Sequence, residues 1–139
     1  MDKLKLFSRW AVMMPAAILI AWLTFIISQA VGSFILSMIG VDSTSFLFLA
    51  YKHSMPHILM GGVFVASVIK LAPSHKNIAA YVCSFLAILL GLIPLVLAVI
   101  FADNSALNFW GIAGMVFELT GVVLMAYAVR SSSYDLREG

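Results

Sequence analysis

The sequence predicts an all-α integral membrane protein with four transmembrane helices, and three observations support this prediction. Hydrophobic residues make up 63% of the 139 residues and charged residues only 10%, whereas soluble domains carry about 25% charged residues. The mean hydropathy is +1.10. The charged residues also divide the chain into four stretches long enough to cross a bilayer, which takes about 20 apolar residues per helix.

The boundaries of the four helices follow from these stretches. We expect helices near residues 10–32, 56–73, 78–101 and 107–129. They form a single transmembrane domain over 1–139. The first uncharged run, 10–41, exceeds one crossing, and Gly32 and Ser33 offer a break in it. We therefore expect an outer interfacial or re-entrant segment within 33–55, between helices 1 and 2.

The N-terminal apolar run is predicted to be an uncleaved signal anchor. The apolar region of a cleaved signal peptide is about 7–15 residues long. The uncharged run here continues from Trp10 to Val41 and is far longer than that. We therefore expect this part of the chain to remain as the first transmembrane helix.

The basic residues segregate between the two sides of this four-helix arrangement. Seven of the eight fall on one side: Lys3, Lys5, Arg9, Lys70, Lys76, Arg130 and Arg137. Only Lys52 falls on the other side. By the positive-inside rule we expect both termini in the cytoplasm, with 33–55 and the turn 102–106 facing outward. The expected location is the bacterial inner (plasma) membrane.

Several function classes lack their signatures in this sequence. The formal net charge of +2 and the scattered Lys and Arg residues give no groove for nucleic acid, which we do not expect as a partner. Cys83 is the single cysteine, so no internal disulfide is possible. No phosphate-binding loop, nucleophile set or HExxH motif is present. We therefore expect neither enzymatic activity nor a bound cofactor.

Glu118 is the candidate proton- or cation-binding residue. It lies near the middle of the fourth helix, where a charged side chain facing lipid would be costly, so it is expected to face protein or water. With about 100° per residue, Gly111, Gly114, Gly121 and Met125 project within about 60° of Glu118. This face is predicted to let another helix approach closely.

The second helix carries a matching surface of small residues. Gly61 and Gly62 lie together in it, and Ala66 follows about one turn later. Small residues at a helix interface let two backbones approach closely in a membrane. We therefore predict that the fourth helix docks against this part of the second.

Two interpretations of Glu118 remain open at this stage. No Lys or Arg lies at matching depth in the four helices, which favours a protonated or water-contacting acid over a buried ion pair. One interpretation is a proton or cation site. The other is a structural acid, either neutral and bonded to a helix backbone or paired with a missing subunit.

His53 and His57 form a second group, with Met55 and Met60 as sulfur ligands suited to Cu(I). The i, i+4 spacing of the histidines would place both imidazoles on one helix face. Pro56, however, belongs in the first turn of a helix, which would put His53 before the helix starts. The group therefore predicts at most a weak metal or haem site, and the alternative is a pair of interfacial histidines.

A short segment of the fourth helix resembles the small multidrug resistance transporters. The segment is residues 118–125, which matches their pattern Glu-x-x-Gly-x-x-Leu-Met. The resemblance implies proton-coupled exchange through one intramembrane acid in a four-helix protein. In that family the acid lies on the first helix, whereas Glu118 lies on the fourth, and the rest of the chain does not match. We therefore assign no family.

Two functions are consistent with these features. The first is an oligomeric proton- or cation-linked transporter or channel that uses Glu118. The second is a non-catalytic accessory or assembly subunit of a larger membrane complex, or an immunity-type membrane partner. In either case the expected partners are the lipid bilayer and further copies of the chain or other membrane subunits.

Overall fold

The structure is a computed structural model, which describes residues 3–73, 75–101 and 109–135. The helices in chain order are α1 (Lys3–Met38), α2 (Phe46–Leu71), α3 (Lys76–Phe101) and α4 (Phe109–Asp135). Within these ranges, each helix contains a stretch long and apolar enough to cross a membrane. The prediction of an all-helical chain with four such helices is confirmed. The expected turn 102–106 and Arg137 lie outside the described residues.

The start of α2 corrects the sequence prediction. The helix begins at Phe46 instead of Pro56, and the Ser45 hydroxyl caps it by accepting a hydrogen bond of 3.3 Å from the Phe48 N–H. Pro56 is buried inside the helix and has no N–H to donate to the carbonyl of Lys52. Membrane helices tolerate such a proline because their neighbours and small local adjustments satisfy the freed carbonyl. A proline therefore did not mark the start of this helix.

The connector between α1 and α2 is also shorter than expected. The structure does not support a separate re-entrant segment within 33–55, because α1 continues to Met38, the connector covers 39–45 and α2 begins at Phe46. Gly40 turns the chain with a φ of +81°, in the left-handed region that favours glycine. The backbone N–H and the hydroxyl of Thr44 donate hydrogen bonds of 2.9 and 3.0 Å to the Asp42 carboxylate. These bonds lower the pKa of Asp42.

Gly32 makes room for a side chain of the neighbouring helix instead of breaking α1. A Cβ atom at Gly32 would overlap the phenol ring of Tyr51. The Tyr51 hydroxyl donates a hydrogen bond of 2.8 Å to the carbonyl oxygen of Ser28, one turn earlier in α1. This contact ties the adjacent ends of α1 and α2 together, and it explains why a glycine lies inside a continuous helix.

α2 lies at the centre of the bundle and packs against the other three helices, and α3 also packs against α4. Apart from Pro56, the most deeply buried apolar side chains come from α1, α2 and α3: Ala17, Val65, Val68 and Ala80. We call the end of the bundle that holds residues 39–45 the connector end, and the opposite end, where α2 ends and α3 begins, the terminal end. The apolar core therefore lies between mid-depth and the terminal end.

Candidate functional site between α2 and α4

α2 and α4 cross at two glycines. A Cβ atom at Gly121 would overlap the carbonyl oxygen of Ile58, and a Cβ atom at Gly61 would overlap the carbonyl oxygen of Glu118. Gly62 is less crowded, since its Cβ would lie 3.8 Å from the Gly121 carbonyl oxygen. The two backbones therefore approach as closely as glycine allows. This crossing fixes the depth of Glu118 relative to α2.

The Glu118 side chain lies on the wall of a cavity of about 450 Å³ between the four helices. Its side chain is 42% exposed. Apolar side chains such as Trp22, Phe64 and Leu90 form most of the wall, and Glu118 is the one ionisable residue among the described residues that line it. A carboxyl group is therefore placed against an apolar space near the middle of a membrane-spanning bundle.

His57 of α2 is the nearest ionisable partner that the structure gives Glu118. Its Nδ1 atom lies 4.0 Å from Oε2 of Glu118. This nitrogen is buried and has no hydrogen-bond partner among the described residues. An unsatisfied buried polar atom costs about 1–3 kcal/mol, so a small movement that closes the gap to Glu118 is favourable. The 4.0 Å separation is longer than a hydrogen bond, and the imidazole and the carboxyl group can exchange a proton once such a movement brings them to about 2.6–3.2 Å.

A column of rings leads from His57 toward the connector end. The His57 ring meets Phe25 of α1 edge to face, with centroids 4.9 Å apart, and stacks on His53 with centroids 6.3 Å apart. His53 in turn stacks on Trp110 at 5.7 Å, and Trp110 lies 5.5 Å from Phe46. Both histidines are therefore held by rings from the neighbouring helices.

Two glycines of α4 differ from their expected role. A Cβ atom at Gly114 would come within 2.8 Å of Nε2 of His57. This glycine therefore makes room for the imidazole ring and not for the backbone of another helix. At Gly111 a Cβ atom would meet no described atom within 4 Å. Of the three glycines expected on this face, Gly121 alone contacts the backbone of α2, because the crossing leaves more space toward the connector end.

The histidines and methionines do not come together as a metal site. The described residues contain no group of three His, Cys, Asp or Glu side chains that would hold a metal ion. The planes of the His53 and His57 rings are 13° apart and stacked, Met55 is 53% exposed, and Met60 lies on the cavity wall. We therefore assign no copper or haem to these residues.

Sequence reasoning missed the pairing of His57 with Glu118. Because α2 was expected to start at Pro56, His57 was placed at the membrane surface. With α2 starting at Phe46, His57 lies well inside its helix, as Glu118 does in α4. The signal available in the sequence was the topology. In a protein with four crossings α2 and α4 run parallel, so residues at similar distances from the two helix starts lie at the same depth.

Comparison of the chain with protein-family models, curated proteins and solved structures finds no match.

Proposed function

We propose that the protein is an oligomeric proton- or cation-linked transporter or channel in which Glu118 is the binding group. The observation that supports this most is the placement of the Glu118 carboxyl 4.0 Å from a buried, unpaired imidazole nitrogen of His57, on the wall of an apolar cavity. Intramembrane ionisable groups that face a cavity are typical of ion pathways and proton relays.

The alternative structural role for Glu118 has less support. A structural acid would be expected to form short hydrogen bonds across the helix contact, because buried polar groups are normally paired. The contact between His57 and Glu118 is instead longer than a hydrogen bond, and the carboxyl group remains partly exposed. A carboxyl group that no short hydrogen bond holds suits an exchanging site better than a fixed cross-link.

The proposal includes assembly and orientation. Four helices enclose little volume by themselves, so we propose that several copies form the complete pathway. The segregation of basic residues supports a bacterial inner-membrane location with both termini in the cytoplasm. In that orientation the connector end faces outward.

Cysteine labelling tests this orientation. In a Cys83→Ser background, Thr44→Cys is expected to react with a membrane-impermeant maleimide added to intact cells. His75→Cys, in the exposed loop at the terminal end, is expected to react only after the membrane is opened. The reverse pattern would show that the termini lie outside.

Ion flux into vesicles tests the transport proposal. Purified wild-type protein in lipid vesicles is given an imposed sodium, potassium or ammonium gradient, and an enclosed pH-sensitive dye reports proton movement. We expect proton movement that exceeds that of empty vesicles. Wild-type vesicles that move neither protons nor any of these cations above the empty control would contradict transport, and would leave a non-transporting membrane partner as the better explanation.

A further inference from the structure

His53, His57 and Glu118 follow one another along the bundle. His53 is one helical turn closer to the connector end than His57, and their rings are stacked 13° from parallel. His57 in turn lies beside Glu118, with its Nδ1 atom 4.0 Å from Oε2. The three ionisable side chains therefore form a continuous series from the connector end to mid-depth.

We propose that His53 and His57 carry protons between the connector end and Glu118, and that the apolar core closes the path from Glu118 to the terminal end. This inference rests on the proposed proton-linked function and assigns residues to its proton route. His57 is then a relay residue that exchanges protons with Glu118 directly, and His53 acts through His57.

The chemistry of each transfer is a simple exchange of one proton. An imidazole can accept a proton at one ring nitrogen and release one from the other, which makes histidine suited to this role. Because N–H bonds lie in the ring planes, stacked rings 6.3 Å apart do not hydrogen-bond to each other directly. A bridging water therefore takes a proton from protonated His53, which becomes neutral, and gives one to His57. His57 then releases a proton from Nδ1 to Oε2 of Glu118, so the imidazole returns to its neutral form and the carboxylate becomes a neutral acid.

Few other ionisable groups face this series. α1 presents Phe25 to His57 and carries no charged residue from Trp10 to its end. α3 carries no charged residue after Lys76, and its ionisable Tyr81 and Cys83 lie toward the terminal end. Near the connector end α2 adds Tyr51, whose hydroxyl is bonded to Ser28, and Lys52 beside His53.

On α4, the residues that enter the series are Glu118 and Trp110. Tyr127 and Arg130 lie farther along that helix, toward the terminal end, beyond the crossing at Gly121. Neither residue lies between His53 and Glu118. The proposed route from the connector end therefore has no competing ionisable group on α4.

The terminal side of Glu118 has no comparable series among the described residues. Ala17, Val65, Val68 and Ala80 are fully buried there. The ionisable group within this core is the Cys83 thiol, which donates a hydrogen bond of 3.5 Å to the Met14 sulfur. Ser67 and Ser84 are also buried on this side, but neither hydroxyl titrates near neutral pH, so the ionisable partner that the structure gives Glu118 lies toward the connector end.

The rate at which Glu118 takes up a proton tests the relay. Full-length protein in lipid vesicles is subjected to a rapid pH jump, and infrared absorption follows the carboxyl signal that disappears in Glu118→Gln. We expect His57→Phe and His53→Phe to slow this signal by about tenfold or more, since positioned proton-transfer groups contribute roughly 10²–10⁴-fold. His75→Phe, which removes an exposed histidine at the terminal end, is the matched control and should leave the rate unchanged.

A second substitution at the same position separates proton transfer from packing. His57→Gln keeps a polar side chain but cannot relay a proton, so it should be as slow as His57→Phe. A normal rate in both variants, or in His57→Gln alone, would overturn the relay. Wild-type vesicles with a histidine-dependent rate but no ion flux would overturn the proposed function and leave the relay standing.

The closure of the terminal end has its own test. In vesicles of uniform orientation, verified by labelling of Thr44→Cys in the Cys83→Ser background, the pH jump is applied to one side at a time. We expect a prompt carboxyl signal when the pH changes at the connector end and a signal at least about tenfold slower when it changes at the terminal end. Equal rates from both sides would contradict the closure.

Discussion

Glu118→Gln is expected to assemble like the wild type and to lose proton-coupled flux by about 100-fold or more. Glutamine keeps the shape of the side chain and can still form a hydrogen bond with Nδ1 of His57, so packing around the site should persist. It cannot gain or release a proton at neutral pH, so any step that depends on titration of this side chain stops. Flux into vesicles measures the first effect, and size-exclusion chromatography in detergent measures assembly.

A second variant at the same position is the control for this result. Glu118→Asp retains a carboxyl group but is one methylene shorter, so it should keep part of the flux. Full flux in Glu118→Gln would show that the acid only holds helices together. Loss of flux in both variants together with loss of assembly would indicate a structural role instead.

Gly121→Leu is expected to lower the stability of the folded protein by about 3 kcal/mol or more, the upper range for overpacking a tight contact. A side chain at this position would overlap the carbonyl oxygen of Ile58, which is backbone and cannot rotate away. α2 and α4 would have to separate, and the cavity wall that holds Glu118 would shift with them. Denaturant-induced unfolding in detergent, followed by circular dichroism, measures the change.

Gly111→Leu provides the matched control within the same helix. It makes the same chemical change where no described atom lies within 4 Å, so we expect an effect within about 0.5 kcal/mol of zero, as for other surface substitutions. Equal destabilisation by the two variants would mean that leucine disturbs α4 itself. In that case the crossing with α2 would not be the cause.

The number of membrane-spanning helices was predictable because hydropathy depends on composition over a long stretch. The helix boundaries were less predictable. Pro56 and Gly32 were interpreted as helix ends because proline and glycine have that meaning in the helices of soluble proteins. In this bundle Pro56 is buried within α2, and Gly32 leaves room for Tyr51. The role of each residue depends on packing against a neighbouring helix, which the sequence alone does not reveal.

Glu118 could be identified from the sequence because placing an acid within an apolar membrane helix costs free energy, so such residues are rare. Its partner could not, because the error at Pro56 moved His57 to the membrane surface. The stacking of Trp110 on His53 could not be predicted either, because it joins two different helices. The contacts of a site depend on helix register across the bundle, and a one-turn error in a helix start is enough to separate two residues that touch.

The most direct test of Glu118 as an exchanging site is an infrared titration of the protein in lipid vesicles at equilibrium. The wild type should show a neutral carboxyl absorption that decreases as the pH is raised and that Glu118→Gln lacks. A carboxyl absorption that stays constant across the pH range in which the protein remains folded, or the absence of any signal assigned to Glu118, would contradict a proton-exchanging role for this residue.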